Sequence, residues 1–232
     1  MYDIIFISYN EPNADANFAK LKARFPYAQR INGVKGIHQA HIAAAKKSFT
    51  KMFWVVDGDA EIIDTFNFDY VVSKYDLECV HVWRSQNPIN NLEYGYGGVK
   101  LLPKALTTKL DVTTPDMTTS ISSLFKIMPE VSNITAFNTD PFNTWKSAFR
   151  ECCKLASKVI DRQDDTETNQ RLASWCTLND AVPYGFYAFL GAEGGKAYGE
   201  TNSKDPARLK LINDFDWLQT QFDLVKERIS GR

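Results

Sequence analysis

The sequence predicts an α/β fold: a mostly parallel sheet flanked by helices, followed by a helical C-terminal portion. Strand-like and helix-like stretches alternate through the first half, and from Pro141 onward the apolar residues recur at helical spacing. The apolar runs are also short, which suits strands buried on both faces.

The first strand is Ile4 to Tyr9, an apolar run that ends in the polar loop NEPN. ADANFAKLKARF then reads as a helix that Asn13 can cap. A short strand at Gln29 to Asn32 leads to a turn at Gly33 to Gly36. Next comes the helix IHQAHIAAAKKSF, with an Ala-rich face suited to close packing on a sheet, and then a strand from Met52 to Val56. Strand–helix–strand–helix–strand is the pattern of a doubly wound sheet, in which ligands bind beyond the carboxyl ends of the strands. The SYNEP loop and Asp57-Gly58-Asp59 both fall at that edge.

Farther on, ECVHVW, GGVKLLP and NITAF are shorter strands between polar loops, and TTPDMTTSISS reads as a mobile loop. The last third offers three helical stretches, PFNTWKSAFRECCKLASKVI, TETNQRLASWCTL and DPARLKLINDFDWLQTQFDLVKERI. The glycines of GAEGGKAYGE suggest a lid. The expected division is 1–140, an α/β part with its loops, and 141–232, a helical part packed on it as one compact domain.

Hydrophobic residues make up 44% of the 232 and charged residues 24%, the balance of a globular protein with a sizeable core. A net charge of −1 argues against a passive nucleic-acid coat, though not against a local basic groove. The four cysteines form no CxxC pair and read as reduced thiols. With no signal-like start and no long apolar run, a cytoplasmic protein without membrane contact is expected.

The chemistry centres on Asp57-Gly58-Asp59. Two hard oxygen ligands at a sheet edge suit Mn²⁺ or Mg²⁺ together with diphosphate oxygens, and the glycine lets a ligand come close to the backbone. The bland alternative is a solvated Asp-Gly turn. Asp140 precedes Pro141 and is either the N-cap of that helix or a general base. Tyr94, Tyr96, Gly97 and Gly98 form either an aromatic-covered hairpin or a wall for a ligand. His38 and His41 lack the further ligands a zinc site needs, and His81, within the strand ECVHVW, reads as a satisfied core histidine, with a third metal ligand as the alternative. No GxSxG or Walker loop is present.

ISYNEP, GIHQAHIAAAKKS and FWVVDGDAEI together resemble the nucleotide-sugar half of GT-A-fold glycosyltransferases. With YGYGGVKLLP and FNTDPFNTWKSAFRE added, the chain resembles a group from large tailed phages that places glucose or arabinose on hydroxymethylated cytosine in DNA. The resemblance implies a metal-dependent transferase that uses a nucleotide-sugar donor. Asp57 and Asp59 would hold the metal and diphosphate, with Asp59 catalytic. Ser8, Tyr9, Asn10 and Glu11 would border the nucleoside, and Lys35, His38 and Gly58 would line the donor. Tyr94, Tyr96, Gly97, Gly98 and Arg150 would face the acceptor, with Asp140 as base. DNA containing modified cytosine is the implied partner, with Lys100, Lys104, Lys109, Arg150, Lys154 and Lys158 as a phosphate track. A polysaccharide or small glycan acceptor is the alternative within the fold. A non-catalytic nucleotide-sugar or nucleic-acid binding protein is the alternative outside enzymes.

Overall fold

The computed structural model describes residues 1–95, 97–114, 116–158 and 164–231. The chain divides into two compact units, Met1–Ala136 and Phe137–Arg232.

The first unit is built on an eight-stranded sheet. Its strands are β1 (Asp3–Ser8), β2 (Gln29–Asn32), β3 (Met52–Asp57), β4 (Ala60–Ile62), β5 (Val80–Gln86), β6 (Glu93–Tyr94), β7 (Val99–Pro103) and β8 (Phe125–Thr135). The order is β2-β1-β3-β7-β5-β8-β4, with β6 paired to β5 off that path. β1 runs parallel to β2 and β3, and β5 runs parallel to β8. β7 is inserted antiparallel between β3 and β5. The sheet is therefore mixed and not mostly parallel as the sequence suggests, because β7 pairs antiparallel with β3 and β5 and β4 with β8, and the architecture is of the α/β class.

The helices of this unit are α1 (Ala14–Arg24), α2 (Ile37–Lys47), α3 (Lys104–Thr107) and α4 (Met117–Ile121). Both sheet faces are buried. On one, Ile4, Phe6, Trp54, Val56, Trp83 and Leu101 pack with Leu21 of α1 and with Phe66 and Phe68. On the other, Ile5, Ile7, Phe53, Val55, Val82 and Leu102 pack with Ala40, Ala44 and Ala45 of α2. Small residues on α2 let it lie close to the strands, as its Ala-rich face foretells. His81 sits in β5 against the rings of Tyr70 and Trp83, in the core as expected. Asn13 precedes α1 without capping it; its side chain donates instead to the Ala136 carbonyl at 2.9 Å. Part of the Thr/Ser-rich stretch expected to be a loop is α4, because Asp116 accepts from Thr119 N and starts the helix.

The second unit is helical: α5 (Pro141–Ser157), α6 (Asp165–Trp175), α7 (Gly185–Asn202), α8 (Pro206–Lys210) and α9 (Phe215–Ser230). The single C-terminal helix read from the sequence is broken by a 3-10 turn at Leu211–Asn213, after which Asp214 caps α9 by accepting from Asp216 N and Trp217 N. The glycine-rich segment expected to be a lid lies inside α7. Gly191, Gly195 and Gly199 are buried on one stripe, where added Cβ atoms would lie 2.3, 2.1 and 2.5 Å from the carbonyl oxygens of Trp145, Phe149 and Cys153 on α5. Missing side chains let the two backbones touch. No helix among the described residues is long and apolar enough to cross a membrane.

Candidate functional site

β1 and β3 end side by side, with Ile7 opposite Asp57. β7 returns beside β3 with Lys100 opposite Val55, so Lys100 and Asp57 are diagonal neighbours on the face covered by α2. Lys100 Nζ lies 2.8 Å from both Asp57 oxygens and also donates to the Gly97 carbonyl. Its side chain is only 3% exposed, against 26% for Asp57. A buried ammonium needs such partners. Gly97 adopts φ +80, which the turn of its carbonyl toward Lys100 uses.

Glu11 stands over Gly58. A Cβ on Gly58 would lie 2.6 Å from Glu11 Oε2 and 3.1 Å from Ser8 Cβ, and the same Oε2 accepts from Tyr9 N at 2.8 Å. Buried Asn17 donates to the Gly58 carbonyl at 3.0 Å, which fixes the turn from below. Asp59 is partly buried. Burial first, then the nearby Asp57 and Glu11 carboxylates, push its pKa up to about 7, with Lys100 opposing. Three carboxylates thus face one ammonium, and added positive charge at Asp59 is favoured.

For the expected Mn²⁺ or Mg²⁺, Asp59 offers one partly exposed carboxylate, and both Asp57 oxygens already accept from Lys100, so the two-aspartate chelate is not formed as the side chains stand. Among the described residues no three His, Cys, Asp or Glu side chains form a metal site by themselves, so further ligands would have to come from a bound diphosphate.

The other expected donor residues are placed unevenly. The Ser8 hydroxyl donates to Asn32 Oδ1 at 2.8 Å and accepts from Arg30 Nε at 2.9 Å. Tyr9 is partly exposed, while Asn10 and Lys35 are exposed. His38 is buried on α2 beside the fully buried His41. His41 Nδ1 donates to the Ile37 carbonyl at 2.8 Å, which leaves Nε2 as a bare acceptor, buried and without a partner. Burial, then the Lys100 ammonium, hold the His41 pKa well below its ordinary value, so the ring is neutral.

On the expected acceptor side, Tyr94 is only 4% exposed, so its ring is packed inside the unit. Tyr96 lies outside the described residues. Gly98 is there for packing: a Cβ would lie 2.7 Å from Asn133 Nδ2, and its carbonyl accepts from Asp57 N at 2.9 Å. Asp140 and Arg150 belong to the second unit. Asp140 caps α5, taking Asn143 N at 2.8 Å on Oδ1 and Asn143 Nδ2 at 2.5 Å on Oδ2. Arg150 donates to Asn213 Oδ1 at 3.0 Å and lies over the Phe215 ring. Buried Lys100 cannot serve a surface track for phosphates, and Lys158 is paired with Asp165.

Sequence reasoning missed Lys100 as a partner of Asp57, and missed Arg30, Asn32 and Asn17 altogether. The signal for Lys100 was available: an ionised residue inside the apolar strand VKLLP must find a counter-charge. Gly58→Ala should keep the fold, because the clash is with the end of a flexible Glu11 side chain. Losing the Tyr9 N–Glu11 bond should lower stability by about 1 kcal/mol, read by thermal melting.

No protein-family model matches the sequence, and no curated protein matches it. Among solved structures, one similar chain is described as a glycosyltransferase involved in the glycosylation of the major capsid of PBCV-1. It is 12% identical with a TM-score of 0.34, over 54% of this chain and 82% of that one.

Proposed function

We propose that the chain is a metal-dependent glycosyltransferase, which moves a sugar from a nucleotide-sugar donor to an acceptor hydroxyl. The observation that carries this reading is the charge imbalance at the carboxyl edge of β1 and β3. Glu11, Asp57 and Asp59 outnumber Lys100 there, and burial together with the neighbouring Asp57 and Glu11 carboxylates pushes the Asp59 pKa up to about 7. A diphosphate cannot approach such a cluster alone; with a divalent cation it can. When bound, the cation would neutralise the departing diphosphate. Asp59 holds it, Glu11 and Asp57 add to the negative field, and Tyr9 and Asn10 border the nucleoside. As a proposal from the sequence alone, Asp140 is the base for the acceptor hydroxyl.

For the acceptor, the sequence resemblance favours 5-hydroxymethylcytosine in DNA. A base in a duplex would have to flip out to reach a site. With a net charge of −1, DNA binding should be weak and salt-sensitive.

The test is turnover of a panel of nucleotide-sugars with and without Mn²⁺, followed by mass spectrometry of hydroxymethylcytosine DNA incubated with any donor that turns over. Metal-dependent release of nucleotide is expected. Its absence for every donor would leave a binding protein, and turnover without a DNA mass gain would point to a glycan acceptor. Asp140→Asn should keep its melting temperature, since asparagine also caps helices, and should lose transfer while donor binding persists. Full transfer activity in that variant would reduce Asp140 to a cap.

A further inference from the structure

Two asparagines, Asn13 at the start of α1 and Asn17 one helical turn on, give their amides to the stretch that carries the aspartates, and the proposed chemistry uses neither. Buried Asn17 donates to the Gly58 carbonyl at 3.0 Å. Asn13 donates to the Ala136 carbonyl at 2.9 Å, and the Ala136 N–H donates in turn to the Asp59 carbonyl at 2.7 Å. The peptide groups on both sides of the Asp59 Cα are thereby held, the one before it by Asn17 directly and the one after it through Ala136. A residue has only two soft backbone dihedrals, so anchoring both flanking peptide planes fixes them, and with them the direction of the Cα–Cβ bond. Glu11, which stands over Gly58, accepts on its own carbonyl from Ala14 N at 3.1 Å, so first loop, helix and turn form one connected piece. An amide is the donor suited to this place. It anchors a carbonyl without bringing a second positive charge to the cluster of Glu11, Asp57, Asp59 and Lys100.

We propose that Asn13 and Asn17 are positioning residues: they hold the Asp59 backbone, and so the root of its carboxylate, in place before any ligand arrives. The inference rests on the reading of this sheet edge as the donor diphosphate site and adds what sets its geometry. A backbone already ordered in the free protein loses no further freedom on binding, so the affinity of the site depends on both amides although neither touches the ligand.

The first measurement is amide hydrogen exchange of the wild type without ligand. The Ala136 N–H should exchange within about tenfold of the amides of β1 and β3, because the turn is held as firmly as the strands that carry it. Faster exchange overturns the proposal. The second is calorimetric titration with pyrophosphate in the presence of Mg²⁺, which reads affinity separately from the fraction of competent protein. Asn17→Ala should bind about tenfold more weakly than the wild type at unchanged stoichiometry. A merely structural asparagine would lower the stoichiometry, through unfolded protein, and leave the affinity of the remaining molecules as it was; that result overturns the proposal. Asn13→Ala, at a half-buried position, gives the same test should Asn17→Ala fail to fold, with affinity again reduced and stoichiometry kept. Absence of binding by the wild type also overturns the proposal, and the donor panel then tells whether the transferase reading falls with it. Metal-dependent turnover in the wild type together with wild-type affinity in the folded variants would leave the transferase standing and remove the positioning role alone.

Discussion

Asp59→Asn should abolish metal-dependent donor turnover and at the same time make the protein more stable above neutral pH. In the fold its carboxyl has a pKa of about 7, against an ordinary 3.8. Between those values the folded state keeps a proton that the unfolded chain has released. Stability therefore falls as pH rises through that window and levels off above it. The full shift corresponds to roughly 4 kcal/mol, and the partial exposure of Asp59 reduces it to about 1–2 kcal/mol. Asparagine carries no such cost. Wild type and variant should melt together near pH 4 and separate at pH 8, with the variant higher. Mg²⁺ should raise the wild-type melting temperature at pH 8 and have no such effect on the variant. A variant that melts well below the wild type at pH 8 would make Asp59 a structural residue and take the cation reading with it.

Gly195→Ala should destabilise the helical unit by more than about 3 kcal/mol. The new Cβ would lie 2.1 Å from the Phe149 carbonyl oxygen and 2.8 Å from its Cα. Backbone cannot swing aside as Glu11 can, so α5 and α7 must separate. Trp145, Phe149 and Cys153 belong to the core of this unit, together with Leu209, Leu218 and Phe222 from α8 and α9, so that core would open along with the helix pair. Gly194→Ala is the control. Its Cβ would meet Phe149 ring carbons at an ordinary 3.5 Å on an exposed position of the same helix. Removing glycine from a helix interior there should add about 0.5–1 kcal/mol. Thermal melts of the two variants should move in opposite directions; equal shifts would mean that the stripe does not set the helix spacing.

What could be read from the sequence was what local pattern encodes. β1, β3 and α2 show in their apolar runs and in the alanines that face the sheet. The start of α5 shows in Asp140-Pro141. α7 could not be read this way, because glycine is a poor helix former alone and the stripe gains meaning only against the backbone of α5. The break before α9 did leave a local mark, with Asp214 placed as an N-cap inside a run that otherwise looks continuously helical. At the site, the two aspartates drew attention by their spacing, yet their different roles come from tertiary neighbours. Asp57 is tied by a strand that enters the sheet forty-three positions later in the chain, and Asp59 is shaped by Glu11 from the first loop. Neither relation has a local signature. Gly98 shows the converse, where a glycine that looked ready for a ligand is used up by Asn133.

The insertion of β7 between β3 and β5 also sets an order of events during synthesis. Once residues through Gln86 are made, β1, β2 and β3 can pair, but β5 has no partner, since β6, β7 and β8 all come later in the chain. Until Val99–Pro103 emerges, β3 presents a bare hydrogen-bonding edge flanked by Phe53 and Trp54, the kind of surface that neighbouring nascent chains or chaperones seize.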